Sequence, residues 1–253
     1  MTSAVSLRAL RKSFGTLEAI GGIDLDVEQG SFVSVIGPSG CGKSTLLRVV
    51  AGLEPATSGT ALVNGEPAAE ARRHKRVAMV PQHPGLLPWR SVRANARLLL
   101  DVNDKANGPT TSDPIELLER VGLGSFLDAR PYELSGGMQQ RVALVRALAL
   151  GAPLLAMDEP LAALDEITRS EMRGLLNQLV EGQGVTTVFV THSIGEAVAL
   201  SDRVLVSSPR PARIVADIEI DLHRPRPGDI DDDPRFFELC TQVRHALLEG
   251  AGE

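Results

Sequence analysis

The sequence predicts an α/β fold interrupted by a helical segment, and three observations carry this prediction. Apolar runs of strand type recur in the first 90 residues and again after residue 150, with helical patterns between them. From Ser91 to about Ala149 the pattern becomes helical, with a polar linker at residues 103–111 between two of the predicted helices. The third observation is the succession of a strand, a glycine-rich loop and a helix around Gly40. A chain of 253 residues is long enough to bury a substantial core.

The glycine-rich loop follows the β-rich run Phe32–Ile36 and predicts a site for a nucleoside triphosphate. It consists of Gly37, Pro38, Ser39, Gly40, Cys41, Gly42, Lys43, Ser44 and Thr45. Glycines let such a loop curl until successive N–H groups point into one concavity that accepts an anion. The helix that begins here adds its positive end, Lys43 adds a charge for the β- and γ-phosphates, and Ser44 adds a hydroxyl for Mg²⁺.

The segment before this loop is predicted to form short strands, among them Ile23–Val27, and Gly21-Gly22 is predicted to end the strand before it. The aromatic Phe14 lies in this segment, in a chain with only 3% aromatic residues. A single aromatic here suits either the core of a β segment or stacking on a purine, and the sequence leaves both open. After the loop, Asn64-Gly65 predicts a hairpin turn that follows the strand Thr60–Val63.

Two further segments have an unusual composition and a defined position relative to the predicted strands and helices. The strand Val77–Val80 ends at Pro81-Gln82, and the next segment, His83–Trp89, is apolar, stiffened by proline and holds the only tryptophan. That segment suits either ordinary loop packing or a contact site. In the helical stretch, Asp113-Pro114 predicts a capped helix start. Ser135, Gly136 and Gly137 predict a second start with exposed N–H groups, suited to an anion.

Polar residues follow two later strands at positions where ligands bind in parallel sheets. Leu154–Met157 leads into Asp158 and Glu159, and Thr186–Val190 leads into Thr191-His192. The net charge of −6 argues against nucleic acid as the main partner. The two cysteines form no metal or disulfide pattern, and no apolar run approaches 18 residues. We therefore expect a cytoplasmic protein that reaches a membrane through a partner.

The order of these motifs resembles that of the ATP-binding-cassette (ABC) ATPases over nearly the whole chain. The decisive element is Leu134-Ser135-Gly136-Gly137-Met138-Gln139-Gln140-Arg141, which other phosphate-loop families do not carry. The resemblance implies an ATP-binding core with an N-terminal antiparallel β subdomain and an inserted helical signature subdomain. It places the core at residues 1–90 and 150–222, the helical subdomain at 91–149, and a C-terminal tail at 223–253.

The resemblance also implies roles for individual residues. Glu159 matches the general base, His192 the switch histidine near the γ-phosphate, and Gln82 a residue that approaches Mg²⁺ and the attacking water. Asp158 matches the carboxylate that assists Mg²⁺ beside Ser44. Phe14 matches an aromatic that stacks on the base, where tyrosine is more usual. Ser193 stands where aspartate is frequent, which puts one local hydrogen bond in doubt.

For the signature, the resemblance implies a nucleotide enclosed between two copies of the chain. Ser135, Gly136, Gly137 and Gln139 of one subunit would face ATP held by the phosphate loop of the other. The implied partners are a second copy, integral-membrane permease subunits and, indirectly, a solute-binding protein. The implied place is the cytoplasmic face of the inner membrane.

A finer resemblance is to the ATPase subunits of nitrate/sulfonate/taurine-type importers, carried by Leu86–Arg90, Leu164–Arg169 and Arg210–Ile214. The same subgroup serves other solutes, such as thiamine-precursor pyrimidines. A soluble ABC ATPase without a permease is an alternative, but the long insertion or second cassette usual there is missing. A nucleotide kinase or a GTPase would need an acceptor-binding site or an Asn-Lys-x-Asp motif, and we find neither in the sequence. An inactive regulatory nucleotide binder would have lost Glu159 or His192, and both are present.

Overall fold

The computed structural model describes residues 3–109, 111–180, 184–224, 226 and 230–251. The strands are β1 (Ser3–Phe14), β2 (Leu17–Glu28), β3 (Phe32–Ile36), β4 (Ser58–Val63), β5 (Glu66–Pro67), β6 (Val77–Val80), β7 (Leu154–Asp158), β8 (Thr186–Val190), β9 (Arg203–Ser207) and β10 (Ile214–Glu219). The α-helices are α1 (Lys43–Val50), α2 (Ala68–Arg73), α3 (Val92–Asp101), α4 (Pro114–Arg120), α5 (Gly136–Leu148), α6 (Glu166–Val180), α7 (Ile194–Leu200) and α8 (Pro234–Ala251). The predicted α/β class is confirmed.

A four-stranded antiparallel sheet, ordered β2-β1-β4-β5, is built from the N-terminal part of the chain. The prediction that Gly21-Gly22 ends a strand is wrong, because both residues lie inside the 12-residue β2. The pairing passes from Leu10–Ile23 to Arg11–Gly21, so Gly22, with φ of 93°, is the extra residue of a bulge. Asn64-Gly65 forms the predicted turn, with φ of 50° and 79°.

The second sheet has six strands in the order β10-β9-β3-β8-β7-β6 and is parallel except for the edge strand β10. Every residue of β3, β7 and β8 is buried, as is typical of parallel strands covered on both faces. The carboxyl ends of β3, β6, β7 and β8 lie along one edge. The phosphate loop, Gln82, Asp158 and His192 follow these ends, so this edge gathers the predicted site.

The segment of the chain between β6 and β7 is helical and contains α3, α4 and α5. Each helix begins at a side-chain cap that the sequence favours: Ser91, Asp113 and Ser135 accept hydrogen bonds from Ala94 N, Ile115 N and Met138 N. Apolar residues of all three helices share a core with β6, β7 and α6. The domain boundaries given above stay a prediction.

The last helix, α8, packs against β9, β10 and α7. It buries Phe236, Leu239 and Val243, which are at most 5% exposed, in a core shared with Val204 and Ile218. The described part of the predicted C-terminal tail is thus docked on the sheet. None of the described helices has the length and apolarity that a membrane crossing requires.

Candidate active site

The phosphate loop is held between the two sheets, and its glycines are required by close contacts. A Cβ on Gly42, which has φ of 125°, would lie 2.6 Å from the carbonyl oxygen of Ala19 in β2. A Cβ on Gly37 would lie 2.8 Å from the carbonyl oxygen of Ser207 at the end of β9. Since any side chain would collide with backbone at both positions, the loop follows the path that aims its N–H groups inward.

Lys43 is only 5% exposed and is held by the loop itself. Its Nζ donates hydrogen bonds to the carbonyl oxygens of Gly37, at 2.8 Å, and Pro38, at 3.0 Å. These partners are neutral, so they fix the ammonium without neutralising its charge. A buried cation beside a helix N-terminus fits the phosphates of a nucleotide.

Ser44 and Asp158 form the part of the site that fits a divalent cation. Ser44 Oγ donates a hydrogen bond of 2.8 Å to Asp158 Oδ1 across the edge of the sheet. Burial raises the pKa of the Asp158 carboxyl, the hydrogen bond from Ser44 opposes the rise, and the charge of Glu159 adds to it. A carboxylate and a hydroxyl are the hard oxygen ligands that Mg²⁺ prefers, and a bound cation would favour the ionised Asp158.

Glu159 occupies the centre of the predicted catalytic group. Its Oε2 lies 3.2 Å from His192 Nδ1 and 3.4 Å from Gln82 Nε2. Its backbone is left-handed, with φ of 44°, and its N–H donates a 2.8 Å hydrogen bond to the carbonyl of Val190 in β8. Such a conformation costs a non-glycine residue about 1–3 kcal/mol and is often found at functional sites. Here it directs the carboxylate away from the strand and towards Gln82 and His192.

The residues around His192 hold its loop. Thr191 Oγ1 donates a 2.5 Å hydrogen bond to Glu196 Oε2, and Ser193 N donates to Thr191 Oγ1 at 3.0 Å. Burial raises the pKa of the Glu196 carboxyl, while the Thr191 hydroxyl and the charge of Arg169 oppose this rise. Ser193, which stands where the family often has aspartate, caps α7 through a bond from Glu196 N. Serine at this position therefore supplies the side-chain cap of α7.

A cavity of about 390 Å³ opens above the phosphate loop. It is lined by Phe14, Leu17, Ala19, Ser39, Gly40, Gly42, Lys43, Ser44, Thr45, Gln82, Glu159 and Arg210. The interpretation of Phe14 as a core residue is wrong, because its side chain is 47% exposed at this cavity. Lys12 Nζ lies 4.7 Å from the centre of the Phe14 ring and is itself held by Pro55 O and Glu54. The ring is thus fixed on one side by a cation and remains available to a base. The sequence did not mark Arg210 as a site residue.

The signature residues lie apart from this cavity, since none of them lines it. Ser135 Oγ caps α5, and a Cβ on Gly136 would meet no atom within 4 Å. Gly137, by contrast, packs on α6, where a Cβ would lie 2.7 Å from Thr168 Cγ2. Gln139 Nε2 donates to the carbonyls of Pro131 and Leu134, at 3.0 and 3.3 Å. The structure therefore brings the phosphate loop, Asp158 and Glu159 together but leaves the signature separate within one chain.

A parallel sheet with a phosphate loop after β3, a carboxylate pair at the end of β7 and a separate signature helix defines an ATP-hydrolysing cassette. Comparison with known families agrees, because the family model described as "ABC transporter" matches residues 20–162. The chain belongs to the ABC transporter family and is an ATP-binding ABC-type ATPase. The family predicted from the sequence is confirmed.

Two curated relatives are similar along almost the whole chain. The aliphatic sulfonates import ATP-binding protein SsuB 1 of Agrobacterium fabrum is 44% identical over 250 residues, which cover 99% of this chain and 85% of the relative. The aliphatic sulfonates import ATP-binding protein SsuB of Rhodopseudomonas palustris is 47% identical over 248 residues, covering 98% and 84%.

Two solved structures share the fold. One is the dimeric post-hydrolysis state of the ATP-binding cassette MJ0796 bound to ADP and Pi, with a TM-score of 0.74 and 30% identity. The other is the dimeric structure of MJ0796, a bacterial ABC transporter cassette, with a TM-score of 0.75 and 28% identity. Each match covers 87% of this chain and the whole of the solved chain.

Proposed function

We propose that this chain is the Mg²⁺-dependent ATPase subunit of a bacterial importer for a small solute of the aliphatic sulfonate type. The observation that carries the proposal is one cavity lined by Lys43, Ser44 and Glu159, with Asp158 hydrogen-bonded to Ser44. The relatives named as aliphatic sulfonate import proteins support the solute class, since they match nearly the full chain. The ATPase subunit itself need not contact the solute, so the cavity carries no information about it.

In the proposed reaction, each residue has one task. Glu159 accepts the proton of the attacking water, with Gln82 and His192 within 3.4 and 3.2 Å of its carboxylate to orient it. Lys43 and the loop N–H groups bind the β- and γ-phosphates and offset charge that develops on them. Ser44 and Asp158 would hold Mg²⁺, which when bound neutralises phosphate charge. Phe14 would stack on the adenine.

The proposal includes a head-to-tail homodimer in which the signature of one copy completes the site of the other. Ser135 and Gly136 are exposed at the start of the 13-residue helix α5, and neither lines the chain's own nucleotide cavity, so the positive end of the helix is open to a second copy. The dimeric cassette structures, one bound to ADP and Pi, support this arrangement. Two-fold symmetry then gives two such sites, in which the nucleotide forms part of the interface.

The permease is proposed to dock where the predicted contact segment His83–Trp89 presents its apolar side chains. Trp89 is 70% exposed, although the loop that carries it is tightly held. The fully buried Asn95 bonds both backbone groups of Leu87, at 2.7 and 3.1 Å, and Arg146 donates to Gly85 O at 3.0 Å. A rigid loop that exposes an aromatic residue is a favourable interface anchor, because little conformational entropy is lost on binding.

A second cavity, of about 410 Å³, lies at the helical segment and supports docking there. It is lined by apolar side chains that include Leu53, Met79, Leu99 and Val102, where α3 ends. Leu53 and Val102 are 49% and 57% exposed. We propose that a short cytoplasmic helix of the permease occupies this groove, which would hold the chain at the cytoplasmic face of the inner membrane. A solute-binding protein would act through the permease without touching this chain.

The test is growth of a strain lacking this chain on an aliphatic sulfonate as the sole sulfur source. We expect no growth, rescue by the wild-type chain, and no rescue by Glu159→Gln. Trp89→Ala should restore little growth, while the purified Trp89→Ala chain still binds ATP. Normal growth of the deletion strain would contradict the sulfonate assignment. Undetectable Mg²⁺-dependent phosphate release by the complex would contradict the ATPase assignment separately.

A further inference from the structure

We propose that Arg210 is a further nucleotide-binding residue, which supplies a second cation to the cavity that Lys43 serves. Arg210 lies in the loop of residues 208–213 that joins β9 to the edge strand β10. None of the phosphate-loop, carboxylate or signature motifs includes this residue. The proposal goes beyond the function argued above, because that function was derived from those motifs alone and assigns no role to Arg210.

The loop that carries Arg210 is anchored to both sheets. Ala212 N donates to the carbonyl of Ala19, at 2.9 Å, and Gly21 N donates to the carbonyl of Ala212, at 3.0 Å. The loop also closes on itself, with Ser208 N bonded to Arg213 O at 2.9 Å. These bonds attach the loop to β2, the strand whose Leu17 and Ala19 line the nucleotide cavity. Arg210 is therefore presented from a fixed backbone.

The guanidinium of Arg210 rests on the phosphate loop but keeps its charge and most of its donors. Its Nε donates to Gly40 O at 3.1 Å, and one terminal nitrogen donates to the same oxygen. Arginine has five N–H groups, so one neutral carbonyl leaves several of them available. No ion pair with Arg210 occurs within the described ranges of the chain, and its side chain is exposed. A guanidinium with this freedom binds phosphate oxygens well.

The charge distribution of the cavity favours an anion near Arg210. Lys43 and Arg210 are the cations among the lining residues, and Glu159 is the one carboxylate among them, at the hydrolytic end. Gly40 lies in the middle of the phosphate loop, so a cation seated on its carbonyl is close to where phosphates bind. The aromatic Phe14 is also on the wall, so Arg210 shares one cavity with a surface for a base and with the phosphate-binding backbone. The ligand chemistry we assign to it is therefore the phosphate chain of a nucleotide.

The alternative role of Arg210 is purely structural, as a hydrogen-bond donor that holds Gly40, and the two roles differ in their need for a positive charge. The structural role needs a hydrogen-bond donor, which glutamine also supplies, whereas phosphate binding needs a positive charge. A lysine at this position keeps the positive charge but lacks the planar, forked set of N–H donors of a guanidinium. The matched control is Arg213→Ala, because Arg213 is an exposed arginine of the same loop that does not line the cavity.

The experiment measures the affinity of the full-length chain for AMP-PNP, ADP and AMP by isothermal titration calorimetry with Mg²⁺, at several salt concentrations. We expect Arg210→Ala and Arg210→Gln to weaken AMP-PNP and ADP binding about tenfold, a loss of about 1.4 kcal/mol. AMP binding should fall less, the dependence on salt should become shallower, and Arg210→Lys should recover most of the affinity. Arg213→Ala should match the wild type. Wild-type affinity of Arg210→Gln, or equal losses for AMP and AMP-PNP with unchanged salt dependence, would overturn the proposal.

Discussion

Two helix N-termini of this chain are suited to an anion, and they are built in opposite ways. At the start of α1, Lys43 is 5% exposed, and a Cβ on Gly42 would collide with Ala19 of the antiparallel sheet. At the start of α5, Ser135 is exposed and a Cβ on Gly136 would meet open space. Both use the same physics of unpaired N–H groups and helix dipole. The first is enclosed by its own chain, and the second faces outward.

This difference indicates which effects of a substitution can be measured on the isolated chain and which need a second copy. Residues at the enclosed end line the nucleotide cavity of their own chain, so a change at Lys43 should alter nucleotide binding in a monomer, whereas a change at Glu159 should alter hydrolysis once two copies share a site. Residues at the open end do not line the nucleotide cavity of their own chain, so their effect should appear only when a second copy supplies a nucleotide. Each prediction below tests that division, beginning with the largest expected effect.

The largest effect is expected from Glu159→Gln, at the enclosed end. Glutamine keeps the shape of the side chain beside Gln82 and His192 but cannot accept a proton from water. We expect hydrolysis to slow by about 100-fold or more, the usual scale for a lost general base. Nucleotide affinity should remain near that of the wild type, since Glu159 is not part of the phosphate loop. Phosphate release and a nucleotide titration measure the two quantities. Turnover within threefold of the wild type would assign the base elsewhere.

A second change at the enclosed end, Lys43→Ala, should weaken the binding of ATP rather than its hydrolysis alone. Its ammonium is the buried cation of the loop, and its removal takes away the hydrogen bonds that it donates to the carbonyls of Gly37 and Pro38. We expect the affinity for ATP to fall more than tenfold, a loss larger than about 1.4 kcal/mol. Equilibrium titration of the isolated chain checks this. An unchanged dissociation constant would mean that Lys43 is not a phosphate ligand.

At the open end, Ser135→Arg should stop hydrolysis and leave binding intact. A large cation at the cap of α5 blocks the surface that a second copy would use, but it is remote from the chain's own cavity. We expect the loss of at least tenfold in turnover, with ATP affinity of the isolated chain within twofold of the wild type. The wild-type specific activity should also rise with protein concentration. Constant specific activity from a demonstrated monomer would refute the arrangement in which two copies share a site.

The enclosed end was largely predictable from sequence, because its groups follow strands that the hydrophobic pattern identifies. The apolar runs before Asp158 and His192 are continuous, so the residue after each run emerges at the same edge of the sheet. Arg210 was not predictable as a site residue, because its bond to Gly40 spans 170 positions in the chain. The prediction that Gly21-Gly22 ends a strand failed for another reason. A glycine pair is typical of a turn, but in this chain Gly22 takes the bulge of a long paired strand.

A smaller effect should separate two adjacent glycines of the signature. In Gly137→Ala, the new Cβ would lie 2.7 Å from Thr168 Cγ2. Thr168 cannot rotate away freely, because its Oγ1 donates a 2.7 Å hydrogen bond to Asp165. We expect the free energy of unfolding to fall by about 1–2 kcal/mol, as for other overpacked sites. Gly136→Ala meets open space and should keep or slightly raise stability.

Denaturant unfolding measures both glycine variants, and Thr168→Ser provides the control. Serine lacks Cγ2 but keeps the hydroxyl that bonds Asp165, so the double variant Gly137→Ala with Thr168→Ser should regain most of the lost stability. If Gly137→Ala were as stable as the wild type, the signature helix would not be packed on α6 as described. A destabilised Gly136→Ala would show that the open end is covered by its own chain.

The smallest expected effect comes from Phe14, the residue where the family more often has tyrosine. Phe14→Tyr adds a hydroxyl at the rim of a ring that is 47% exposed, so it should keep the stacking face and change ATP affinity by less than twofold. Phe14→Ala removes that face and should weaken binding by about fivefold to tenfold, within the 1–3 kcal/mol range of base–aromatic stacking. Lys12 lies 4.7 Å from the ring centre, so Lys12→Met should loosen the ring and weaken binding by less than Phe14→Ala does. Titration with ATP and with inorganic triphosphate distinguishes the causes. Because triphosphate has no base, its affinity should be the same in all three variants, and an equal loss for both ligands would show that Phe14 supports the loop rather than the adenine.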